Sequence, residues 1–340
     1  MQWFQMNTRL CFGQNAVEAL GELEGKRYFL VTDPYFKENG TADNVAQLCK
    51  GPVEIFSQVV PDPPLSVVAQ GLGQMQSFGA DTLIALGGGS AIDCAKGMVS
   101  LGKDRPYFVA IPTTSGTGSE VTAFAILTHE GVKHPLVDHG IRPDMAILDD
   151  SFLDRLPPSL IADAGMDVIA HCVEAVGGRH SSPFTQALAA SAFERVMRLL
   201  PASFEGNRSV RGEIHCAATM AGIAFDHAGL GICHSLSHAL GGRFHIPHGK
   251  LNAILLPHIM AFNKGDAPYE LLGRNPIFAV SRLSRRLRMP QTLREAGLQR
   301  QEVLSKMDEL CESAMADPCT LTNPRPVTME DCRGILRACI

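Results

Sequence analysis

Short, continuous apolar runs alternate with amphipathic stretches through the first half of the chain. Arg27–Thr32, Val53–Phe56, Thr82–Leu86, Tyr107–Ile111 and Met145–Leu148 read as strands, with helical patterns between several of them. Strands that are apolar on both faces and separated by helices predict a mostly parallel sheet covered on both sides, an α/β arrangement. After LDRLPPSL the period changes. Ile161–Val176, Thr185–Leu200, Arg211–Ala224 and Leu251–Phe262 carry helical patterns and β-rich runs become rare, so the second half is predicted to be almost all helix. The change at Pro157 and Pro158 predicts two domains, over 1–155 and 156–340, with Ser159 as N-cap of the first long helix. Asn323 to Pro326 reads as an ordinary turn before a last helical segment.

Composition narrows the class. The chain has 340 residues, 45% hydrophobic and 19% charged, which suits a globular enzyme with room for two cores. A formal net charge of -5, with no long basic run, argues against nucleic acid as a partner. The most apolar stretch, Leu251 to Phe262, is interrupted by Pro257 and His258 and is too short for a bilayer, so no membrane partner is expected. The start, MQWFQMNTRL, carries no export pattern, and the 10 cysteines form no CxxC pair; a reducing, cytoplasmic compartment is expected. Cys172 and Cys233 neighbour candidate metal ligands and read best as small apolar fillers.

Two segments carry chemistry in the helical half. GMDVIAH places Asp167 and His171 one helical turn apart on one face, and CHSLSHALGGRFHIPHG does the same for His234 and His238 before a turn that aims His248 back toward His234. Asp167, His171, His234 and His248 make one carboxylate and three imidazoles, enough to hold a divalent ion of the iron, zinc or manganese kind with a position left open for a substrate oxygen. His238, between two of these, can be a ligand, a proton carrier or a support for the site, and spacing does not choose among them.

The α/β half carries a cofactor signal. LIALGGGSAIDCAKGM sets Gly87, Gly88 and Gly89 at the end of an apolar strand, with a helix opening at Ser90 or Ala91, where bare backbone amides attract a phosphate. It is not a GxGxxG fingerprint; Gly71 and Gly73 lie in a helical pattern with no third glycine. A hydroxyl-rich loop, IPTTSGTGSEVT, follows the next strand with Thr113, Thr114 and Thr122 as candidate contacts to phosphate or nicotinamide. Asp33 ends the first clear strand, where a carboxylate accepts from an adenosine ribose and repels a 2'-phosphate, favouring NAD over NADP.

GGGSAIDCAK, PTTSGTGSEVT, GMDVIAHCVEA and HSLSHALGGRFHIPHG, in that order over almost the whole chain, resemble the iron-dependent, group III alcohol dehydrogenases. VVPDPP, GGRFHIPHG and TNPRP look most like the propanol-type branch found in bacterial propanediol-utilisation microcompartments. The resemblance implies a Rossmann-like, NAD-binding N-terminal domain and an all-helical, metal-binding C-terminal domain, the dehydroquinate synthase-like arrangement. It assigns Fe2+, with zinc as the alternative, to Asp167, His171, His234 and His248, and gives His238 a part in catalysis or proton transfer. It adds Ser90 and Lys133 to Asp33, the three glycines and the threonines as NAD contacts. It also implies interconversion of short aldehydes and primary alcohols, propionaldehyde with 1-propanol or acetaldehyde with ethanol, in the direction that regenerates NAD. A homo-oligomer and other microcompartment enzymes or shell are the implied partners. Departures are Asp62 in PDPP, where many members carry Asn and which is not taken as a cofactor contact, and His245, which replaces a common Asn and is expected at the substrate pocket. A polyol or hydroxy-acid dehydrogenase of the same fold is the alternative activity; a metal-dependent, NAD-using lyase is a weaker one, since no basic cluster for a phosphorylated acid is present.

Overall fold

The computed structural model of the chain describes residues 3–130 and 132–340. They form two compact units, Trp3–Arg155 and Leu156–Ile340, each with its own core.

In the first unit β1 (Arg9–Phe12), β2 (Tyr28–Val31), β3 (Val53–Phe56), β4 (Thr82–Gly87), β5 (Tyr107–Pro112) and β8 (Met145–Leu148) form one sheet, while β6 (Phe124–His129) and β7 (Val132–Val137) pair as an antiparallel hairpin. The six-stranded sheet runs β1-β8-β5-β4-β2-β3, every pair parallel. Its helices are α1 (Pro34–Glu38), α2 (Thr41–Ala46), α3 (Leu65–Phe78) and α4 (Gly89–Leu101). The reason for unbroken apolar runs is visible in the side chains. Phe29, Val31, Leu83, Ala85, Phe108 and Ala110 pack on one face with Val68, Ile92, Ala95 and Met98 of α3 and α4, whereas Tyr28, Leu30, Ile84, Leu86, Val109 and Ile111 fill the other with Leu20, Ala42 and Val45. Both faces of β2, β4 and β5 are therefore core, and each buried Leu, Ile or Phe contributes about 1.5–3 kcal/mol.

The second unit is helical throughout the described residues: α5 (Pro158–Gly177), α6 (Pro183–Phe204), α7 (Arg211–Ala228), α8 (Ile232–Phe244), α9 (His248–Phe262), α10 (Pro276–Arg286), α11 (Arg300–Ser305), α12 (Met307–Ala316), α13 (Pro318–Leu321) and α14 (Met329–Ala338). The α/β half followed by an all-helical half is as expected. Details differ. Pro157, not Ser159, is the N-cap of α5; Pro158 takes the first helical position, where a missing N–H costs nothing, and Ser159 lies inside the helix. The helix after the glycine turn starts at Gly89, ahead of Ser90. Helix α9 runs straight through Pro257 and begins at His248, earlier than its apolar run suggests. Asn323 is no ordinary turn residue. It is fully buried, its carbonyl accepts from Arg179 Nε at 2.9 Å and its side chain pairs with Asn263 and accepts the Ile232 amide that opens α8. Among the described residues no single helix is long and apolar enough to cross a membrane; the bent pair Arg208–Ala228 and Ile232–Phe244, broken by 105°, passes by length and composition.

Candidate functional site

Helix α5 delivers Asp167 and His171 from one face, α8 delivers His234, and α9 delivers His248 as its first residue. All three imidazoles point Nε2 at the same carboxylate oxygen. Asp167 Oδ1 lies 3.6 Å from His171, 3.5 Å from His234 and 3.5 Å from His248. Donors that share one ion at about 2.1 Å in tetrahedral array sit about 3.4 Å apart. The donor atoms of Asp167, His234 and His248 lie within 4.8 Å of one another, a spacing that suits a common cation, and His171 adjoins this group through the Asp167 oxygen. His171 and His234 stack at 4.7 Å, with Phe225 packed on His171 at 4.4 Å. Side-chain exposure is 2% for His234 but 34% for His248, which makes His248 the most accessible member of the set.

A second layer orients this set. Glu174, two helical turns beyond Asp167, accepts from His234 Nδ1 at 2.5 Å and from the Cys233 amide at 2.8 Å. His234 Nδ1 is thereby taken, and its Nε2 is buried with no hydrogen-bond partner and faces Asp167. Asn252, one turn beyond His248, donates to Asp167 Oδ1 at 2.8 Å and is itself held by Ser237 at 2.6 Å. Burial opposes charge on Asp167, yet His171, His248 and His234 outweigh it and hold the carboxyl well below its ordinary range. Burial opposes charge on His234 too, and Glu174 with Asp167 overrides it, lifting the imidazole to about 9. Two carboxylates about one imidazole call for a positive charge there, and with this donor set a divalent ion answers that call as well as a proton does. The residues fit a metal.

His238 stacks on His248 at 5.2 Å and its Nδ1 lies 2.8 Å from Asp317 Oδ2. His245 is exposed in the left-handed region at φ 55°, closing α8. Cys172 and Cys233 are fully buried, and burial pushes both thiols far up, which suits inert fillers.

In the first unit strand order brings the cofactor candidates together. β4 lies between β2 and β5, so Asp33 after β2, Gly87–Gly89 after β4 and the threonine loop after β5 meet at the carboxyl ends of neighbouring strands. Thr113 N–H donates to Gly87 O at 3.0 Å. A Cβ on Gly87, whose φ is +152°, would stand 2.7 Å from Ala91 Cβ and 3.9 Å from Asp33 Oδ2; one on Gly89 would meet Thr117 at 2.9 Å, and one on Gly88 Thr114 at 3.5 Å. The turn is a bare-backbone cradle that other side chains would fill, with Ser90 in the first turn of α4. Asp33 caps α1 through Phe36 N at 3.2 Å. Two candidates have other partners. Thr122 is buried and accepts from Lys96 Nζ at 3.0 Å, and Lys133, on β7, pairs with Asp62 at 2.7 Å.

Residues 7–150 match the family model of the iron-containing alcohol dehydrogenases, and residues 161–340 match the model of that family's C-terminal region. The chain belongs to the iron-containing alcohol dehydrogenase family. It is 36% identical to the NADPH-dependent butanol dehydrogenase of Clostridium saccharobutylicum, over 98% of this chain and 97% of that protein. It is also 36% identical to the 1-propanol dehydrogenase PduQ of Salmonella typhimurium, over 99% of each. Among solved structures, a 1,3-propanediol oxidoreductase superposes with a TM-score of 0.94 at 31% identity, over 100% of both chains. This iron-containing alcohol dehydrogenase is thus an oxidoreductase, and its helical unit holds Asp167, His234 and His248 close enough together to share a metal ion.

Some of the site's residues were not legible as candidates from the sequence. Glu174 had a signal: an acid in phase with Asp167 and His171 inside an apolar helix has no solvent face to occupy. Asn252 is in phase with His248 in the same way. Lys96 gave none, although it is fully buried and bolts α4 to the threonine loop through Ser119 at 2.9 Å, Thr122 and the Phe124 carbonyl at 2.7 Å, with Asp93 bound to Ser119 at 2.7 Å.

Proposed function

We propose that the chain is an iron-dependent, NAD-linked dehydrogenase that interconverts short aldehydes and primary alcohols, with propionaldehyde and 1-propanol as leading substrates. The observation that carries this reading is the convergence of three imidazole nitrogens on one oxygen of Asp167. Asp167, His171, His234 and His248 would hold the ion, iron first and zinc as the alternative. When bound, the ion supplies Lewis acidity toward a carbonyl oxygen and the nicotinamide supplies or takes the hydride. Gly87, Gly88, Gly89 and Ser90 offer backbone amides to the pyrophosphate, while Thr113 and Thr114 add neutral donors at its edge. Asp33, beside Gly87, accepts from a ribose hydroxyl and repels a 2'-phosphate. Lys133 and Thr122 complete the proposed cofactor contacts, Thr122 through its tie to Lys96. His238 is the proposed proton carrier, next to the accessible ligand His248.

The name of the butanol dehydrogenase relative records NADPH, so the coenzyme is a point on which Asp33 has to decide. The name of PduQ supports 1-propanol as one partner of the reaction; formation of 1-propanol, a cytoplasmic setting inside a propanediol-utilising microcompartment and a homo-oligomer are parts of the proposal that rest on the sequence resemblance. The test is anaerobic oxidation of NADH and NADPH over a panel of short aldehydes, with iron and with zinc. NADH with propionaldehyde or acetaldehyde should lead, and Asp33→Ser should shift the preference toward NADPH. Absence of turnover with any aldehyde or alcohol, with metal bound, would defeat the reading.

A further inference from the structure

We infer that Asp317 is a positioning residue for His238, holding its imidazole in the Nδ1–H form so that Nε2 faces the reacting oxygen as the proton acceptor and donor. The inference deepens the proposed role of His238 and rests on it.

Asp317 sits at the N-terminus of α13, and its two oxygens have separate duties. Oδ1 accepts the Cys319 amide at 2.8 Å, capping the helix, and Oδ2 lies 2.8 Å from His238 Nδ1. An ionised carboxylate only accepts, so Nδ1 must carry the hydrogen and Nε2 is left with a lone pair. Among the described residues no hydrogen bond occupies Nε2, while stacking on His248 at 5.2 Å fixes the ring beside the metal set. Side-chain exposure is 16% for His238 and 13% for Asp317, so the pair is mostly but not wholly shielded from solvent. Burial opposes charge on Asp317, but the hydrogen bond from His238 and its charge outweigh this and keep the carboxyl below its ordinary range.

The chemistry balances. In alcohol oxidation the O–H bond would break and its proton would join His238 Nε2, while bound NAD would supply the acceptor for the hydride on carbon; Asp317 would then face an imidazolium it stabilises. In reduction NADH would supply the hydride to carbon, the Nε2–H proton would return to the product oxygen, and the ring would revert to the neutral Nδ1–H form.

The same region admits a rival. His238, Asp317 and Cys319 offer donor atoms within 4.8 Å of one another, the spacing of a second metal set. Both oxygens of Asp317 are already engaged, and burial together with Asp317 pushes the Cys319 thiol well up, which disfavours the thiolate that a metal site there would need.

The decisive variant is Asp317→Asn. Asparagine caps a helix as well as aspartate, so α13 keeps its start, but with its oxygen on the Cys319 amide its NH2 faces Nδ1 and forces the Nε2–H form. In zinc-loaded full-length protein labelled with 15N-histidine, the His238 signals, identified by their loss in His238→Gln, should report Nδ1–H in the wild type and Nε2–H in Asp317→Asn. The variant should lose about 10-fold or more in kcat, up to the loss of about 100-fold expected for His238→Gln. KM and metal content should stay as in the wild type. The same tautomer in both proteins would overturn the proposal, as would normal kcat in Asp317→Asn when His238→Gln is impaired. Normal kcat in His238→Gln would instead overturn the underlying role of His238. A second equivalent of metal that Asp317→Asn removes would establish the rival site.

Discussion

Glu174 shows what one side chain does for the metal set. Its oxygens accept from two donors, His234 Nδ1 and the Cys233 amide. A glutamine there has one acceptor, so its NH2 must oppose a donor, either the imidazole or the amide. Glu174→Gln is expected to weaken metal affinity about 10- to 100-fold while the fold persists. Metal titration followed by calorimetry checks this, and unchanged affinity would remove the orienting role. The proposed ligands were legible as candidates because an acid and histidines at helical spacing in apolar surroundings have few uses other than chemistry. Their supports were less so: Asn252 and Asn323 belong to a residue type common in turns, and only packing shows that each is fully buried with hydrogen bonds to elements distant in sequence.

At the scale of elements, α9 must come close to α5 for His248 to reach Asp167. Gly249 permits it. A Cβ there would stand 1.9 Å from the Asp163 backbone carbonyl of α5, a contact no side-chain rotation can relieve. Gly249→Ala should therefore cost about 1–3 kcal/mol or more and displace His248. Gly242→Ala on α8 is the control: nothing lies within 4 Å of its Cβ, and alanine in a helix gains about 0.5–1 kcal/mol. Thermal unfolding with metal binding measured alongside should separate the two; a harmless Gly249→Ala would show that the helices can part without consequence. Element legibility follows the same physics. Strands buried on both faces announce themselves as apolar runs, and β4 and β8 fall where the pattern puts them. β1 is a short edge strand that pairs only with β8, and β7 is a half-exposed hairpin arm containing Pro135, so neither carries a core signal.

For the molecule as a whole, the proposed ligands all belong to Leu156–Ile340 and the proposed cofactor contacts all belong to Trp3–Arg155. Ligands that bind only the native state stabilise the part whose opening would release them. At a thousandfold excess over Kd this amounts to about 4 kcal/mol. Metal should thus protect α5, α8 and α9, which share the four side chains, whereas NADH should protect the turn between β4 and α4 and the threonine loop after β5. Hydrogen exchange on full-length protein, with each ligand added alone, reads both effects. Stripping the metal should speed exchange at amides of α5, α8 and α9 and leave β2, β4 and β5 nearly unchanged. Equal loss of protection in the sheet would mean that the ion's stabilisation spreads beyond the helices that supply its ligands, and protection of α5 that is insensitive to chelation would mean that Asp167 and His171 do not hold it.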